Sequence, residues 1–330
     1  MKPFEIVRAE GIAATSKAAG ATPGAVFKAA GIDLLDRMKE RQFQPPALVD
    51  LLRLRSELAA VKVEPDGGIA IGALVTLAGL AAAPELADPA FAGLREAAGI
   101  AATPQIRSRA TVAGNLLQQA RCWYLRSAAF PCAHKGGETC FAMYGENRYH
   151  SVLAYDDCVR VHPSNIAPPL LTLGAEVTVQ RGDAVRRIKL AELWPERPTA
   201  AAPDHTLAPD EIVTWIHLPK PAAGSRGAYC ESREKLSFDW ATTAAAAFAT
   251  LADGKVVDAR LCLGAVAPGP VPVPAATEML AGKVPTAALC DEVAAAAFAG
   301  AKPLYHNAYK VPTGTAIAAR ALRLAFGIED

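Results

Sequence analysis

The feature that most constrains this chain is residues 121–160, which carry four of its seven cysteines: Cys122, Cys132, Cys140 and Cys158. Even spacing along 330 residues would place about one cysteine in this stretch. The stretch mixes glycines with aromatic residues, and its hydrophobic periodicity is weak. Because an ordinary connection between helices and strands is seldom so long, we expect a bound group to organise it.

The spacing of the four cysteines leaves the nature of that group open. It lacks the C-x2-C pair that is usual in zinc ribbons. Four thiolates can hold a [4Fe–4S] cluster at widely varying spacings, so the irregular loop favours iron–sulfur over zinc. Four unrelated buried thiols remain the third possibility. Basic residues nearby could offset the negative charge of a thiolate-bound cluster, or simply belong to a solvated loop: Arg121, His134, Lys135 and Arg148.

Composition excludes several classes of protein. Half of the chain (52%) is hydrophobic, which supplies a sizeable core. The net charge is +1, so we expect no nucleic-acid partner and no attraction to an acidic membrane. The N-terminus lacks the apolar segment of a secretory signal. The uncharged run Ile69–Ala83 is too short to span a bilayer, so we expect a soluble protein without membrane insertion.

Local patterns divide the chain into three units, residues 1–60, 61–218 and 219–330. The first reads as a small α/β unit with two helices and two strands: Ile12–Ala19, Ala25–Lys28, Asp33–Arg41 (capped by Asp33) and Leu48–Leu52. The second unit begins with a Gly67-Gly68 turn, the strand Ile69–Val75 and a helix capped by Thr76, and it continues to an amphipathic helix over Phe91–Ala102.

The third unit reads as a small sheet covered by helices. Its predicted strands are Gly227–Glu234 and Lys255–Val266, with an apolar helix, Trp240–Leu251, between them. Two further helices follow, Pro285–Ala299 and Thr313–Phe326. The polar–aromatic segment 305–310 is predicted to be a surface or a subunit contact.

Two glycine-containing turns could approach a ligand. Lys28–Leu35 reads as strand, turn and helix, where backbone N–H groups can hold a phosphate. In Arg109–Leu117, the Gly114-Asn115 pair permits a tight turn. Each is equally compatible with an ordinary turn. The sequence contains no P-loop, no G-x-G-x-x-G and no nucleophile elbow.

Taken together, these motifs occur in the order of one family. The chain resembles the medium, FAD-binding subunit of molybdenum hydroxylases of the xanthine dehydrogenase/aldehyde oxidoreductase family. The resemblance covers essentially the whole length and includes MKPFEIVRA, GIDLLDRMKE, TPQIRSRATVAGNLLQ, LGAVAP and NAYKVP. Its most specific part is the cysteine block, RCWYLR…FPC…CFAMYGENRYHSVL…CVRVHPSN, which is similar to the branch whose medium subunit also carries a [4Fe–4S] cluster.

The resemblance implies an α+β fold of the FAD-binding type-2 (PCMH-like) class. Such a fold has two α/β subdomains and a C-terminal three-stranded sheet with helices. It also implies an electron-transfer subunit of an oxidoreductase complex, with a large molybdopterin-binding partner and a small [2Fe–2S] partner. The four cysteines of residues 121–160 would hold the [4Fe–4S] cluster. Localisation would be cytoplasmic, or periplasmic by co-export with a signal-bearing partner.

The same resemblance assigns the FAD positions. They fall in the two glycine-containing turns and at two later residues: Lys28, Ala29, Ala30, Gly31, Ile32, Asp33, Leu34, Thr111, Val112, Ala113, Gly114, Asn115, Asn165 and Glu231. Several depart from the family pattern. Relatives typically carry Ala-Gly-Gly-Thr-Asp in the first turn and Gly-Gly-Asn in the second, an aspartate in place of Asn165, and many carry a lysine in place of Glu231.

Each departure has a physical cost. An added Cβ restricts positive φ and crowds a diphosphate that is held by bare backbone. Ile32 cannot donate a hydrogen bond, and Glu231 reverses a charge. We therefore expect FAD binding to be weakened or lost. The alternative is that this lineage re-routes its flavin contacts, since an alanine is tolerated wherever φ is negative.

Overall fold

In the computed structural model, which describes residues 1–235 and 238–328, the strands form three sheets. The first sheet is parallel, with strand order β1-β3-β2. Its elements, in chain order, are β1 (Glu5–Val7), α1 (Ile12–Ala21), β2 (Val26–Lys28), α2 (Leu34–Lys39) and β3 (Ala47–Asp50). Because β2 and β3 are parallel, their carboxyl ends lie together, and Lys28 pairs with Asp50 there. In open parallel sheets this is the edge where ligands bind.

The second sheet has five strands in the order β4-β5-β8-β6-β7. All of its pairings are antiparallel. The strands are β4 (Val61–Val63), β5 (Ile69–Gly72), β6 (Glu176–Arg181), β7 (Ala184–Lys189) and β8 (Ile212–Leu218). Helices precede β4 and fill the long interval between β5 and β6: α3 (Arg55–Leu58), α4 (Leu77–Ala82), α5 (Ala92–Ile100), α6 (Pro104–Arg107), α7 (Val112–Leu116), α8 (Trp123–Arg126), α9 (Phe141–Tyr144) and α10 (Ala167–Thr172).

The third sheet is antiparallel with the order β12-β11-β10-β9. Three long strands form it, and a two-residue strand extends one edge: β9 (Arg226–Arg233), β10 (Ala241–Ala252), β11 (Lys255–Gly264) and β12 (Val271–Pro272). Three helices follow: α11 (Pro274–Thr277), α12 (Ala287–Ala297) and α13 (Lys310–Phe326). Residues 241–252 of this unit are a strand, so the helix predicted over Trp240–Leu251 is wrong.

The reason for that error is burial on both faces of β10. Ala244, Ala246 and Phe248 face the core of the second sheet and its helices. Ala245, Ala247 and Ala249 face a separate core, which contains α12 and α13. A strand that is covered on both faces reads as a continuous apolar run, and periodicity cannot distinguish it from a buried helix.

Most other predicted elements are confirmed within one to three residues at their ends. Thr76 caps α4 as predicted, since its side chain accepts a hydrogen bond from the Gly79 amide at 3.0 Å. Asp33 precedes α2, but its side chain makes no capping bond. The three sheets lie within residues 5–50, 61–218 and 226–272, while the division into subdomains at residues 60 and 218 stays a prediction. Within the described ranges, no helix has the length and apolar character needed to cross a membrane.

Candidate cofactor sites

A cavity of about 680 Å³ lies between the two glycine-containing turns. We call it the flavin cavity. Its volume falls within the range of roughly 300–1,000 Å³ that is typical of sites for organic ligands. Twelve of the fourteen predicted FAD positions line it: Lys28, Ala29, Ala30, Gly31, Ile32, Asp33, Leu34, Thr111, Ala113, Gly114, Asn115 and Asn165. Val112 and Glu231 are not among the described residues of its wall.

The first turn needs glycine at one position only, and glycine is present there. Gly31 has φ +78°, and a Cβ on it would lie 2.9 Å from the Leu35 side chain. The Gly31 carbonyl accepts from the Leu35 amide at 2.8 Å, which starts α2. Neither Ala29 nor Ala30 is among the residues with positive φ. The expected backbone strain is therefore absent, although the two methyl groups are part of the cavity wall.

The second turn is organised in the same way. Thr111 accepts a hydrogen bond from the Gly114 amide at 3.2 Å, and a Cβ on Gly114 would lie 2.8 Å from the Thr111 hydroxyl. Ala113 is inside α7 and has helical backbone, so its methyl group causes no strain. The Asn115 amide oxygen accepts from the Ser164 hydroxyl at 2.6 Å. Val112 faces the core and is fully buried.

Glu231 does not present a free charge to the flavin cavity. Its carboxylate pairs with the Arg233 guanidinium and accepts hydrogen bonds from Asn165 (2.8 Å) and Tyr229 (2.7 Å). The Glu231 side chain is only 4% exposed. Arg233 also donates to the Ile100 carbonyl at 2.7 Å. Burial and the adjacent carboxylate raise the pKa of Tyr229 well above its usual value. Because Arg233 pairs with this carboxylate, Glu231 offers no free negative charge that would repel a diphosphate in the way the sequence suggested.

Arginines neutralise the acidic end of the first turn. Asp33 forms ion pairs with Arg126 at 2.6 Å and with Arg121 at 3.0 Å. Asp36, one helical turn later, pairs with Arg126 at 3.0 Å. The Arg121 guanidinium lies 4.3 Å from the ring centroid of Trp240, and burial lowers its pKa to about 10. Both arginines belong to the cysteine-bearing stretch, so the two regions are in direct contact.

His205 lines the flavin cavity and was not predicted. Its Nδ1 atom is buried and has no hydrogen-bond partner outside its own residue among the described residues. Burial lowers the pKa of His205, so the ring is neutral at pH 7. A buried, unpartnered ring nitrogen at a cavity wall is available to a ligand. The single histidine in Asp204-His205 carries no sequence signal of this position.

We call residues 121–160 the cysteine loop. Its four cysteines line a second cavity. Cys122 and Cys140 directly precede α8 and α9. Cys132 precedes a 3-10 turn (Ala133–Lys135) and forms a β-bridge with Thr139, while Cys158 lies in an irregular segment. The Cys140 and Cys158 thiols contact one another, which lowers the pKa of Cys140 to about 6 and raises that of Cys158. Burial raises the pKa of Cys122 to about 11. The four cysteines that are clustered in the sequence are therefore also close together in space.

The space between these thiols is small, about 10 Å³, which is the room that one water molecule needs. Within residues 1–235 and 238–328, no three Cys, His, Asp or Glu side chains converge closely enough to hold a single metal ion. The zinc alternative therefore gains no support from the geometry. Four thiols can also hold an iron–sulfur cluster, but the space between them is too small for one unless the thiols separate, so the cluster stays a prediction.

Basic side chains surround the second cavity, but only one of the four predicted ones lines it. His134 does so, and it bonds Asp204 at 3.2 Å, which raises its pKa. Arg160, which was not predicted, also lines the cavity and pairs with Asp204 at 3.1 Å. His150 was likewise missed, and its Nε2 atom lies 3.1 Å from the Cys122 sulfur.

The other three predicted basic residues have different roles. Arg121 pairs with the flavin turn, as described above. Lys135 donates to the carbonyls of Tyr124 (3.0 Å) and Ser127 (2.6 Å), which ties the loop to itself. Arg148 is at the surface. The sequence predicted basic character correctly but not which residues face the thiols, because that depends on how the irregular loop folds.

Segment 305–310 braces the cysteine loop from the C-terminal unit. The fully buried Lys310 ammonium donates to the carbonyls of Tyr149 (3.2 Å), His150 (3.0 Å) and Ala265 (2.7 Å). Asn307 is also fully buried and donates to the carbonyls of His150 and Ser151. The prediction of a surface or subunit-contact segment is wrong for these two residues, although Tyr305 is exposed.

Comparison with known families identifies both halves of the chain. The FAD binding domain in molybdopterin dehydrogenase matches residues 2–221, and the CO dehydrogenase flavoprotein C-terminal domain matches residues 227–325.

The chain belongs to the molybdopterin dehydrogenase FAD-binding family.

Members of this family are similar to it over most of their length. The aldehyde oxidoreductase FAD-binding subunit PaoB of Escherichia coli is 34% identical over 316 residues, which is 94% of each chain. The carbon monoxide dehydrogenase medium chain of Afipia carboxidovorans is 27% identical over 255 residues, covering 77% of this chain and 71% of the relative. Both relatives are named as parts of oxidoreductases.

Solved structures of this family share the fold. A carbon monoxide dehydrogenase from Hydrogenophaga pseudoflava superposes with a TM-score of 0.77 at 24% identity, covering 99% of both chains. Quinoline 2-oxidoreductase from Pseudomonas putida superposes with a TM-score of 0.75 at 22% identity, also covering 99% of both. The predicted fold class is thereby confirmed, although the C-terminal sheet has a fourth, two-residue strand beyond the three that were predicted.

Proposed function

We propose that this chain is the electron-transfer subunit of a heteromeric molybdenum hydroxylase, with FAD in the flavin cavity and a [4Fe–4S] cluster in the cysteine loop. One observation carries the proposal: both glycine-containing turns of an FAD-binding family line a single cavity of about 680 Å³. A cavity of this size between two such turns is what a bound organic cofactor needs.

The residues of the cavity fit a dinucleotide. Gly31 holds a positive φ that disfavours a Cβ, and a Cβ on Gly114 would lie 2.8 Å from the Thr111 hydroxyl. Bare backbone at such turns can approach a diphosphate closely. Asn165 and His205 bring polar atoms to the wall, and Trp240 brings an aromatic surface. When bound, FAD accepts electrons and passes them to a final acceptor.

The residues around the thiols fit a cluster of net negative charge. Cys122, Cys132, Cys140 and Cys158 are the proposed ligands. Arg160 and His134 bring positive charge to the same cavity, and Asp204 holds both in place. Neutral His150 would donate its Nε2 hydrogen to the Cys122 sulfur. Hydrogen bonds and charges next to the ligands orient them and tune a metal centre.

The alternative function is an iron–sulfur relay or assembly subunit that has lost FAD. It rests mainly on Ile32, whose exposed side chain (40%) lines the cavity where relatives carry a hydrogen-bonding threonine. Two other departures support this alternative less than the sequence suggested. The methyl groups of Ala30 and Ala113 cause no backbone strain, and the charge of Glu231 is paired with Arg233. No observation favours it over FAD binding.

The proposed partners follow from the relatives. PaoB is named as a subunit of aldehyde oxidoreductase, and the Afipia protein as the medium chain of carbon monoxide dehydrogenase. By analogy, a large molybdopterin-binding subunit would oxidise the substrate and a small [2Fe–2S] subunit would deliver electrons to this chain. No residue of this chain is assigned to substrate oxidation.

Equilibrium dialysis against FAD tests the proposal directly. We expect one FAD per chain with a dissociation constant of about 1 μM or tighter, in the range of about −8 kcal/mol. The Gly31→Ala variant should bind more weakly, because its Cβ would meet Leu35. Absence of saturable FAD binding by the folded full chain would contradict the flavin assignment and favour the alternative.

A further inference from the structure

One ion-pair network joins the two candidate cofactor sites. Asp33 belongs to the first flavin turn, and its carboxylate faces three groups that lie 86 to 93 positions later in the chain. These are the Arg126 guanidinium at 2.6 Å, the Arg121 guanidinium at 3.0 Å and the Gln119 amide at 3.3 Å. All three flank Cys122 in sequence.

The position of Arg126 depends on the start of the cysteine loop. Its backbone amide donates to the Cys122 carbonyl at 3.0 Å, which closes the single turn of α8. Its Nε atom donates to the Ala120 carbonyl at 3.0 Å. A helix of one turn has little stability of its own. Whatever fixes Cys122 therefore also fixes the guanidinium that neutralises Asp33.

Asp33 needs this neutralisation. Its carboxylate is mostly buried, with 15% of the side chain exposed, and Asp33 lines the flavin cavity. A ligand with a diphosphate brings two negative charges into that cavity. Arg37, on α2, also pairs with Asp33, but at the longer distance of 3.8 Å. Without Arg121 and Arg126 in place, this longer pair would leave much of the Asp33 charge to oppose the ligand at short range and in a poorly screened environment.

We propose that Arg126 and Asp33 couple the two sites, so that the cysteine-bound cluster raises the affinity of the chain for FAD. Arg126 is a positioning residue, since it acts on FAD through Asp33. The inference rests on the proposed function, because it needs both cofactors. By linkage, FAD must stabilise cluster binding by the same factor.

The test is FAD affinity with and without iron. FAD-free full chain is dialysed against FAD anaerobically, once with its cluster and once after iron removal by a chelator. We expect iron removal to weaken FAD binding about tenfold or more, within the usual range of coupling. In Arg126→Gln, FAD binding should be weak in both states, with a change below about twofold. Arg126→Lys should restore part of the dependence.

Two further variants keep the result interpretable. Arg187→Gln removes an exposed arginine that pairs with Glu176, and it should retain the full iron dependence. Asp33→Asn removes the carboxylate itself, so FAD binding should no longer depend on iron even if Arg126 variants fold poorly. The iron content of each sample is measured in parallel.

Each remaining outcome contradicts a specific statement. Wild type that holds iron and FAD, with equal FAD affinity in both states, overturns the coupling and leaves the proposed function intact. If the FAD affinity of Arg126→Gln depends on iron as strongly as that of the wild type, the two sites are not coupled through Arg126. A chain that never holds iron, or never binds FAD, overturns both the coupling and the proposed function.

Discussion

The flavin cavity takes its walls from the ends of regular elements, whereas the cysteine loop is held together by individual side chains. In the cavity, the positive φ of Gly31 and the close approach of the Thr111 hydroxyl to Gly114 shape the two turns. In the loop, buried Lys310 and Asn307 hold backbone carbonyls that no sheet or long helix satisfies. A site built on backbone tolerates several side-chain changes, while a site built on side chains depends on each one.

The largest effect that this comparison predicts is at a single cysteine. Cys140→Ser should lower iron measurably below about four atoms per chain, because it removes one of the four proposed thiolate ligands. Iron assay and visible absorbance measure this. Cys290→Ala is the matched control, since Cys290 is fully buried in the C-terminal core and should leave iron unchanged. Equal iron in Cys140→Ser and wild type would remove Cys140 from the ligand set.

A substitution at Glu231 tests whether Arg233 compensates for the glutamate that replaces the relatives' lysine. Glu231→Lys should lower the free energy of unfolding by about 3–5 kcal/mol, because it leaves Arg233 without its buried partner and beside a second cation. It should not tighten FAD binding. Urea unfolding and FAD dialysis measure the two effects. Glu176→Lys, at an exposed pair, should cost about 1 kcal/mol or less. Tighter FAD binding would show that the relatives' lysine is a missing contact.

Lys310 tests the dependence of the cysteine loop on one side chain. Lys310→Met leaves three carbonyls without their donor and should lower the free energy of unfolding by about 2 kcal/mol or more at neutral pH. Exposed Lys302→Met should change it by about 0.5 kcal/mol at most. Urea unfolding measures both. An equal, small effect of the two substitutions would mean that the loop does not rely on Lys310.

The same residue predicts a pH dependence. Burial lowers the pKa of Lys310 to about 7, and unfolded lysine titrates near about 10.4. Between these values the unfolded chain binds the additional proton, so the contribution of Lys310 to stability rises with pH. The difference between wild type and Lys310→Met should therefore grow from about pH 7 towards pH 10. A difference that is constant with pH would show that the ammonium remains charged in the folded state.

The smallest effects concern neighbouring positions of the first flavin turn. Gly31→Ala should lower the free energy of unfolding by about 1–2 kcal/mol, because alanine is strained at φ +78° and its Cβ meets Leu35. Ala30→Gly should cost about 1 kcal/mol or less and change FAD affinity by less than about threefold. Unfolding and dialysis distinguish the two. Tenfold tighter FAD binding by Ala30→Gly would restore the idea that the alanine methyl crowds the cofactor.

Local signals in the sequence predicted much of the fold and the two turns. Hydrophobic periodicity identified α5 and α13, and Thr76 was recognised as a helix cap. The predicted helix at β10 was wrong, because an alanine-rich run that is buried on both faces has no informative period.

Residues of the site that depend on tertiary contacts were not predictable. Glu231 and Arg233 lie two residues apart on β9, but the burial of their ion pair depends on α5 and α13, which pack against that strand. His150, Arg160 and His205 reach their cavities through irregular segments, where no sequence pattern reports direction. Asp33 was expected to cap a helix, and it instead pairs with arginines nearly a hundred residues away.

The most direct test of two cofactor sites in one chain is the iron and flavin content of the full chain, purified anaerobically with its partners. Iron assay, flavin release and the visible spectrum measure it. We predict about four irons in this chain and one FAD, with brown colour and absorbance near about 400 nm. A chain with FAD but no iron would contradict the assignment of the cysteine loop. Four irons without FAD would contradict the flavin cavity and support the relay alternative.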